Sequence, residues 1–336
     1  MHELIIGDTT LRDGSHAVSH SFSPQFVTDV VTQLALANVP LIEVSHGAGL
    51  QGSTIQQGFS TYDEMQLIEA AVEAKGNSKI ASLFVPGIGT RPAIKQAAQL
   101  GIDVLRIAVH CTEANISQQY FEEAKNNGLH AYGFLMMSHL ATSEQLAEEA
   151  QKMESYGADG VYVVDSAGAL VPKTVISRVE ALKEVLTIPV GFHAHNNLGL
   201  AIGNSLTAIA HGATLIDGTL KGLGAGAGNA ALEVLIAALL KSNIDVGISL
   251  ATLMNAAEEI VTPVMKYPPI IDRDNLASGY AGVYNSFLLH VREAAKKFDV
   301  DAVAIIEELG RRSAVAGQED WIIEVAMQLA SKKVEV

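Results

Sequence analysis

His130-Ala-Tyr-Gly-Phe-Leu-Met136 and Gly160-Val-Tyr-Val-Val-Asp-Ser166 are short, largely apolar runs, and residues 143–155 between them are spaced as a helix. Both runs are apolar on either face, as parallel strands covered on each side must be. The intervening segment predicts a solvated face carrying Glu144, Glu148, Glu149 and Lys152. Strand, helix, strand is therefore the repeating unit, because two parallel strands need a crossover of this length.

Outward from this unit the same alternation recurs. Further strand-like runs, rich in Val, Ile, Leu and Phe, lie near 4–9, 40–46, 79–85, 104–110, 189–195 and 214–219. Eight such units predict an α/β chain folded as a (β/α)8 TIM barrel. The rival architecture, a doubly wound open sheet, calls for a Gly-x-Gly-x-x-Gly turn after the first strand, and none is present. After residue 245 the strands stop. Segments 248–265, 280–298, 300–312 and 318–332 read as helices, separated by Pro263, Pro268-Pro269, Asp299 and Gly317. The expected organisation is a barrel over 1–245 and an all-helical C-terminal extension over 246–336. Asp272-Arg-Asp274-Asn275 resembles a fragment of a calcium loop but lacks the remaining ligands, and reads as a turn and helix cap.

Composition narrows the class. The net charge of −15 repels polyanions, and the only basic doublets are Lys296-Lys297, Arg311-Arg312 and Lys332-Lys333, so no nucleic-acid surface is expected. A single cysteine, Cys111, excludes an intramolecular disulfide and any multi-cysteine zinc site; it reads as a buried thiol or, less simply, a nucleophile. The apolar run at 234–240 is far short of a membrane span, and the N-terminus enters a strand without a basic leader. A cytoplasmic protein with no membrane role is expected.

Active sites of such barrels sit where strands end. Read in order, those ends give Thr10-Leu-Arg-Asp13, Glu43-Val-Ser-His46, Arg106 to His110, Asp165-Ser166 and His193-Ala-His-Asn-Asn197. In an extended strand His193 and His195 point the same way, into the barrel mouth. Neutral imidazoles ligate metals, and Asp13 at the end of the first strand supplies a carboxylate to complete a facial set with open positions. The plain alternative is a hydrogen-bonded pair of strand-end histidines. Arg12 offers a fixed fork of donors for a developing oxyanion, and Glu43 can hold it as an ion pair. His16 suits general acid–base work, although His46, His110 and His139 also lie near strand ends and spacing alone does not rank them. Gly222-Leu-Gly-Ala-Gly-Ala-Gly-Asn229 could bring backbone amides to an anion, or simply cap and pack, with Asn229 as N-cap of the next helix. Lys221 is the one lysine near a strand end, which disfavours Schiff-base chemistry.

Thr10-Leu-Arg-Asp-Gly14 together with His193-Ala-His-Asn-Asn197 resembles the metal-dependent lyase and condensing barrels that include 3-hydroxy-3-methylglutaryl-CoA lyase and isopropylmalate synthase. Val85-Pro-Gly-Ile-Gly-Thr90, His110-Cys-Thr-Glu-Ala114, Gly133-Phe-Leu-Met-Met-Ser-His139, Val163-Val-Asp-Ser-Ala-Gly-Ala169, Gly224-Ala-Gly-Ala-Gly-Asn229 and Gly279-Tyr-Ala-Gly-Val-Tyr284 sharpen the resemblance to the 4-hydroxy-2-oxovalerate aldolases, the class II pyruvate aldolases of aromatic meta-cleavage pathways. It spans nearly the whole chain. It implies cleavage of a 4-hydroxy-2-oxoacid to pyruvate and an aldehyde, usually acetaldehyde. It implies a divalent metal, usually Mn2+ with Mg2+ or Co2+ as substitutes, held by Asp13, His193 and His195, and no organic cofactor. It assigns proton removal from the C4 hydroxyl to His16 and enolate stabilisation to Arg12. It places Tyr284 on the aldehyde side of the pocket, with Ser166 and Leu83 as further lining residues. It also implies an acylating acetaldehyde dehydrogenase partner that receives the aldehyde through a tunnel, with the extension as docking surface.

The chain departs from the family pattern at Ser19 and Leu289, where arginine is usual, and at Ala48, where aspartate is usual. The departures bear on aldehyde preference or partner fit, not on reaction type. An acyl-CoA lyase of the same superfamily would typically carry a cysteine in the glycine loop, and none is there. A non-catalytic partner subunit would not need the full set of candidate catalytic groups.

Overall fold

The computed structural model describes residues 3–334. Its strands are β1 (Ile5–Asp8), β2 (Leu41–Glu43), β3 (Lys79–Phe84), β4 (Val104–His110), β5 (His130–Met136), β6 (Gly160–Asp165), β7 (Val190–Ala194) and β8 (Leu215–Gly218). They pair in parallel in chain order and close on themselves through β1 and β8, which excludes the open sheet. The short β2 differs most from expectation: its ladder ends at Glu43, and Ser45 and His46 already belong to the following loop.

Helices α1 (Pro24–Leu36), α2 (Glu64–Ala74), α3 (Arg91–Leu100), α4 (Gln118–Asn126), α5 (Ser143–Ser155), α6 (Pro172–Val185), α7 (Ala201–Ala210) and α8 (Leu232–Lys241) wrap the outside. Helix α5 shows why the repeat holds. Thr142 and Gln145 form a reciprocal capping box at its start, and Leu146, Ala150 and Met153 bury one stripe. One expected surface residue is not on the surface. Glu149 is buried, because its carboxylate accepts a hydrogen bond from the Ala114 backbone N–H at 2.8 Å and one from Lys152 at 2.6 Å.

Apolar packing divides into separate bodies. The main cluster lies between strands and helices, and Leu83, Ala108, Phe134, Tyr162, Val164 and Leu215 fill the barrel interior. Helix α9 (Leu250–Ala256) follows α8 and runs on through a π-helical turn, Ala257–Val261, and a 3-10 turn, Thr262–Val264. Leu253, Ala256, Ala257 and Val261 belong to the main cluster. A second cluster is built from Val283 onward by α11 (Phe287–Phe298), α12 (Ala302–Arg311) and α13 (Asp320–Val334), and α12 packs against α10 (Arg273–Ala281).

The expected helix at 280–298 is a correction. Gly282, at φ 70°, ends α10, and α11 begins only at Phe287, so Tyr284 sits on the turn between them. Asp272 caps α10 by accepting from Asn275 N–H, as expected of that cluster. Among the described residues no helix is long and apolar enough to cross a membrane.

Candidate active site

Beyond β1 the chain turns tightly. The backbone N–H groups of Arg12 and Asp13 both donate to Thr9 O, which starts the 3-10 turn Asp13–Val18 and aims two consecutive charged side chains into the barrel mouth. Arg12 Nε lies 2.7 Å from Glu43 Oε2, and its Nη1 lies 2.6 Å from Asp13 Oδ2. The expected pairing with Glu43 is present, and Arg12 also holds Asp13.

His193 and His195 converge on the same carboxylate. Their Nε2 atoms stand 3.4 and 3.5 Å from Asp13 Oδ2. One ligand atom from each of the three residues lies within 4.8 Å of the others, and all three side chains are buried. The outer nitrogens fix the rings: His193 Nδ1 faces Asp217 Oδ2 at 2.9 Å and His195 Nδ1 faces Asp165 O at 3.0 Å. Both partners only accept, so each Nδ1 carries the proton and each Nε2 presents its lone pair to the centre. His193 Nε2 is buried and has no hydrogen-bond partner. Two imidazole lone pairs and a carboxylate oxygen converging on one point form a donor set that fits a divalent cation.

Electrostatics agrees. Burial would raise the Asp13 carboxyl, but the adjacent Arg12 guanidinium opposes it, and the carboxyl lies well below the usual carboxylate range. Asp13 is therefore the anionic oxygen donor such a site needs.

The glycine loop after β8 closes over this carboxylate. Ala225 N–H donates to Asp13 Oδ1 at 3.0 Å, and Ala227 N–H donates to Asn197 Oδ1 at 2.9 Å. With the backbone bonds of Gly222, Leu223, Gly228 and Asn229, six of the loop's eight amides are committed to the protein itself. Asn229 is not the N-cap expected of it. It forms a bridge with His195, Ala231 forms one with Thr219, and these extended pairings delay the start of α8 to Leu232. The Asn229 side chain is buried beside Gly224 and Asp13, without partners.

Gly228 holds a left-handed conformation, φ 83°, and a Cβ there would run into Gly222 O. Gly228→Ala is expected to lower stability by about 2–5 kcal/mol, from ~1–2 for the backbone and ~1–3 for the clash. Urea unfolding measures this, and an unchanged midpoint contradicts it.

A cavity of about 750 Å3, counting its open mouth, lies beside the three donors. Arg12, His16, Leu83, Ser166 and Tyr284 all border it, as expected. Much of the remaining lining is apolar: Val85, Ile88, Ala108, Phe134, Met136 and Val164. Ser166 Oγ also accepts from Met137 N–H at 2.9 Å. The structure ranks the histidines that spacing did not. His16 borders the cavity. His46 stacks on His20 at 3.8 Å, His110 bonds Thr112, and His139 Nε2 meets Gly282 O at 2.9 Å. Cys111 donates to Met137 O, and burial pushes its thiol up to about 12, so the nucleophile reading falls. Lys221 pairs with Glu258 at 2.8 Å, outside the cavity.

Asp217, within β8, escaped the reading of strand ends, whereas Arg106, within β4, and Asn197 were read there without a role. Asn197 joins the glycine loop to Asn285 of the extension. A charged residue inside an otherwise apolar strand was the available signal for the first two.

Residues 3–260 match the HMGL-like family and residues 269–331 the DmpG-like communication domain. Proteins named 4-hydroxy-2-oxovalerate aldolase are similar throughout. That of Geobacillus genomosp. 3 is 56% identical, covering 98% of this chain and 97% of its own length. The Thermomicrobium roseum protein is 57% identical over 98% of this chain and 92% of its own. Among solved structures, the carboxyl transferase domain of Rhizobium etli pyruvate carboxylase superposes with a TM-score of 0.83 over 99% of this chain and 61% of its own, at 16% identity. The N-terminal domain of a putative aldolase from Bacteroides vulgatus gives 0.73 over 85% and 96%, at 23% identity. At such identity these two share the fold, whereas the full-length likeness at more than half identity places the chain in the 4-hydroxy-2-oxovalerate aldolase family, within the HMGL-like barrels.

Proposed function

We propose that the protein cleaves 4-hydroxy-2-oxoacids such as 4-hydroxy-2-oxovalerate to pyruvate and an aldehyde, acetaldehyde in the first instance, and depends on a divalent metal, Mn2+ foremost. The carrying observation is the convergence of Asp13, His193 and His195 beside a cavity lined by both polar and apolar side chains. A cation held by Asp13, His193 and His195 would supply Lewis-acid stabilisation of the negative charge that develops on the substrate.

The remaining steps fall to the protein. Burial lowers His16, so its imidazole is neutral at neutral pH and able to accept the C4 hydroxyl proton. As that proton leaves, the C4–O bond becomes a carbonyl, the C3–C4 bond breaks, and its electron pair passes into the pyruvate enolate. Arg12, held charged by Glu43 and Asp13, stabilises the enolate oxygen, and protonation at C3 gives pyruvate. The apolar lining around Leu83, together with Tyr284, receives the aldehyde carbon chain, and Ser166 and Asn229 support the polar groups.

Pyruvate release followed by coupled NADH oxidation, in protein stripped of metal and then restored with Mn2+, tests this reading; full turnover by metal-free protein would refute it. With saturating Mn2+ the acid limb of kcat/KM is expected below pH 6.5, because a lowered imidazole stays neutral, and so stays a base, further into acid. A limb above 6.5 speaks against His16.

The communication-domain match at 269–331 supports a docking role toward an acylating acetaldehyde dehydrogenase. Tyr267, Ile270, Tyr280 and Leu289 are exposed on or beside this region. Because α9 shares the barrel's packing, we place the start of the docking module after Val264 rather than at 245/246. Of the three departures from the family pattern, Ala48 alone borders the cavity, so it bears on aldehyde choice. Ser19 and Leu289 are exposed, and Leu289 bears on partner fit.

A further inference from the structure

Beneath the three donors lies an ion-paired layer that does not border the cavity. Arg106 extends from β4 across the barrel to β8, where its Nη1 and Nη2 meet both oxygens of Asp217 at 3.0 and 2.9 Å. Its Nη1 is also 3.5 Å from Glu43 Oε2, and its guanidinium stands 5.1 and 5.2 Å from the ring centroids of Phe134 and Tyr162. Arg106 and Glu43 are fully buried and Asp217 very nearly so. Barrel interiors are ordinarily filled by branched apolar side chains, and a buried ion pair generally brings no stability over such filling. This pair therefore calls for another purpose.

Its one outlet toward the cavity through Asp217 is His193. The carboxylate gripped by Arg106 is the same one that faces His193 Nδ1 at 2.9 Å. The two imidazoles are consequently unlike: His193 leans on an anion, His195 on a neutral backbone carbonyl. An anionic partner fixes the ring more firmly and makes its free nitrogen the stronger donor.

A second observation points the same way. Gly7 lies opposite Asp217 in the β1–β8 ladder, in the middle of a strand, where glycine is a poor residue. A Cβ on Gly7 would stand 2.6 Å from Asp217 Oδ1 and 2.9 Å from Arg106 Nη2. The missing side chain makes the space that the pair occupies.

We propose that Arg106 and Asp217 are positioning residues that set the orientation and donor strength of His193 toward the cation, and that Gly7 is glycine in order to admit them. This rests on the metal reading of the site.

The test is titration of chelator-stripped protein with Mn2+ by calorimetry and with Co2+ by visible absorption, for wild type, Asp217→Asn and Gly7→Ala. Gly7→Ala removes no charge and no ligand, so it moves the pair by steric contact alone. Both variants are expected to bind about 10–100-fold more weakly, the usual effect of altering the partner of a ligating histidine, and to shift the Co2+ spectrum. A purely structural role would lower the melting temperature and leave affinity and spectrum unchanged; that result in either folded variant overturns the proposal. Should Asp217→Asn not fold, Gly7→Ala decides alone. Wild-type protein that takes up no metal would instead refute the metal site itself.

Discussion

Asp13→Asn is expected to lower kcat/KM for pyruvate release by about 10³-fold, with most of the loss tracking weaker metal binding. Lewis-acid stabilisation is worth several kcal/mol, and each ~1.4 kcal/mol is a factor of ten. The substitution removes the only anion among the three candidate donors and keeps the shape of the side chain. Arg12 keeps Glu43 as its counter-ion, and an amide oxygen at the Oδ1 position can still accept from Ala225 N–H, so folding should survive. Activity and Mn2+ affinity measured on one preparation check the result. A folded Asp13→Asn protein with wild-type affinity and rate would remove this residue from the site.

His16→Ala is expected to behave differently. It borders the cavity but stands outside the group of three donors, so Mn2+ affinity should stay within about twofold while kcat falls by about 10²–10⁴-fold, the usual worth of a positioned general base. The ring packs close to Gly47, and its removal leaves a space at the cavity wall rather than in the core. Single-turnover measurement of pyruvate release isolates the bond-breaking step. A kcat within a few-fold of wild type would reassign proton removal. The contrast between the two variants separates loss of the cation from loss of the base.

Much of this arrangement was open to a reader of the chain, for identifiable reasons. The strands could be located because both faces of a parallel barrel strand are covered, which leaves apolar runs broken by turns. His193 and His195 could be paired because strand geometry repeats every two residues, and Asp13 could be joined to them because a closed barrel brings first and seventh strands near each other. What escaped depended on partners distant in the chain. Glu149 has the spacing of its solvated neighbours Glu144 and Glu148, and only the packing of Ala114 against α5 takes it out of water. Asn229 has the composition of a cap, yet bridging to His195 keeps its backbone extended. Tyr284 follows a glycine whose left-handed conformation ends one helix before the next begins, so the two helices read as one. Asp217 is meaningful only beside Arg106, and the two are separated by 111 positions.

The first and last strands lie side by side, and the groups that meet beneath the glycine loop come from both ends of the barrel sequence: Asp13 near one terminus, His193, His195 and Ala225 near the other. During synthesis the aspartate leaves the ribosome long before its imidazoles exist. A cation has no native set of donors to seize until the last strand has docked, so it cannot template early folding. A cation bound there would act instead as a latch on the finished ring: at a free concentration 100 times its dissociation constant it would add about 2.7 kcal/mol against reopening the seam, and none before the seam has formed.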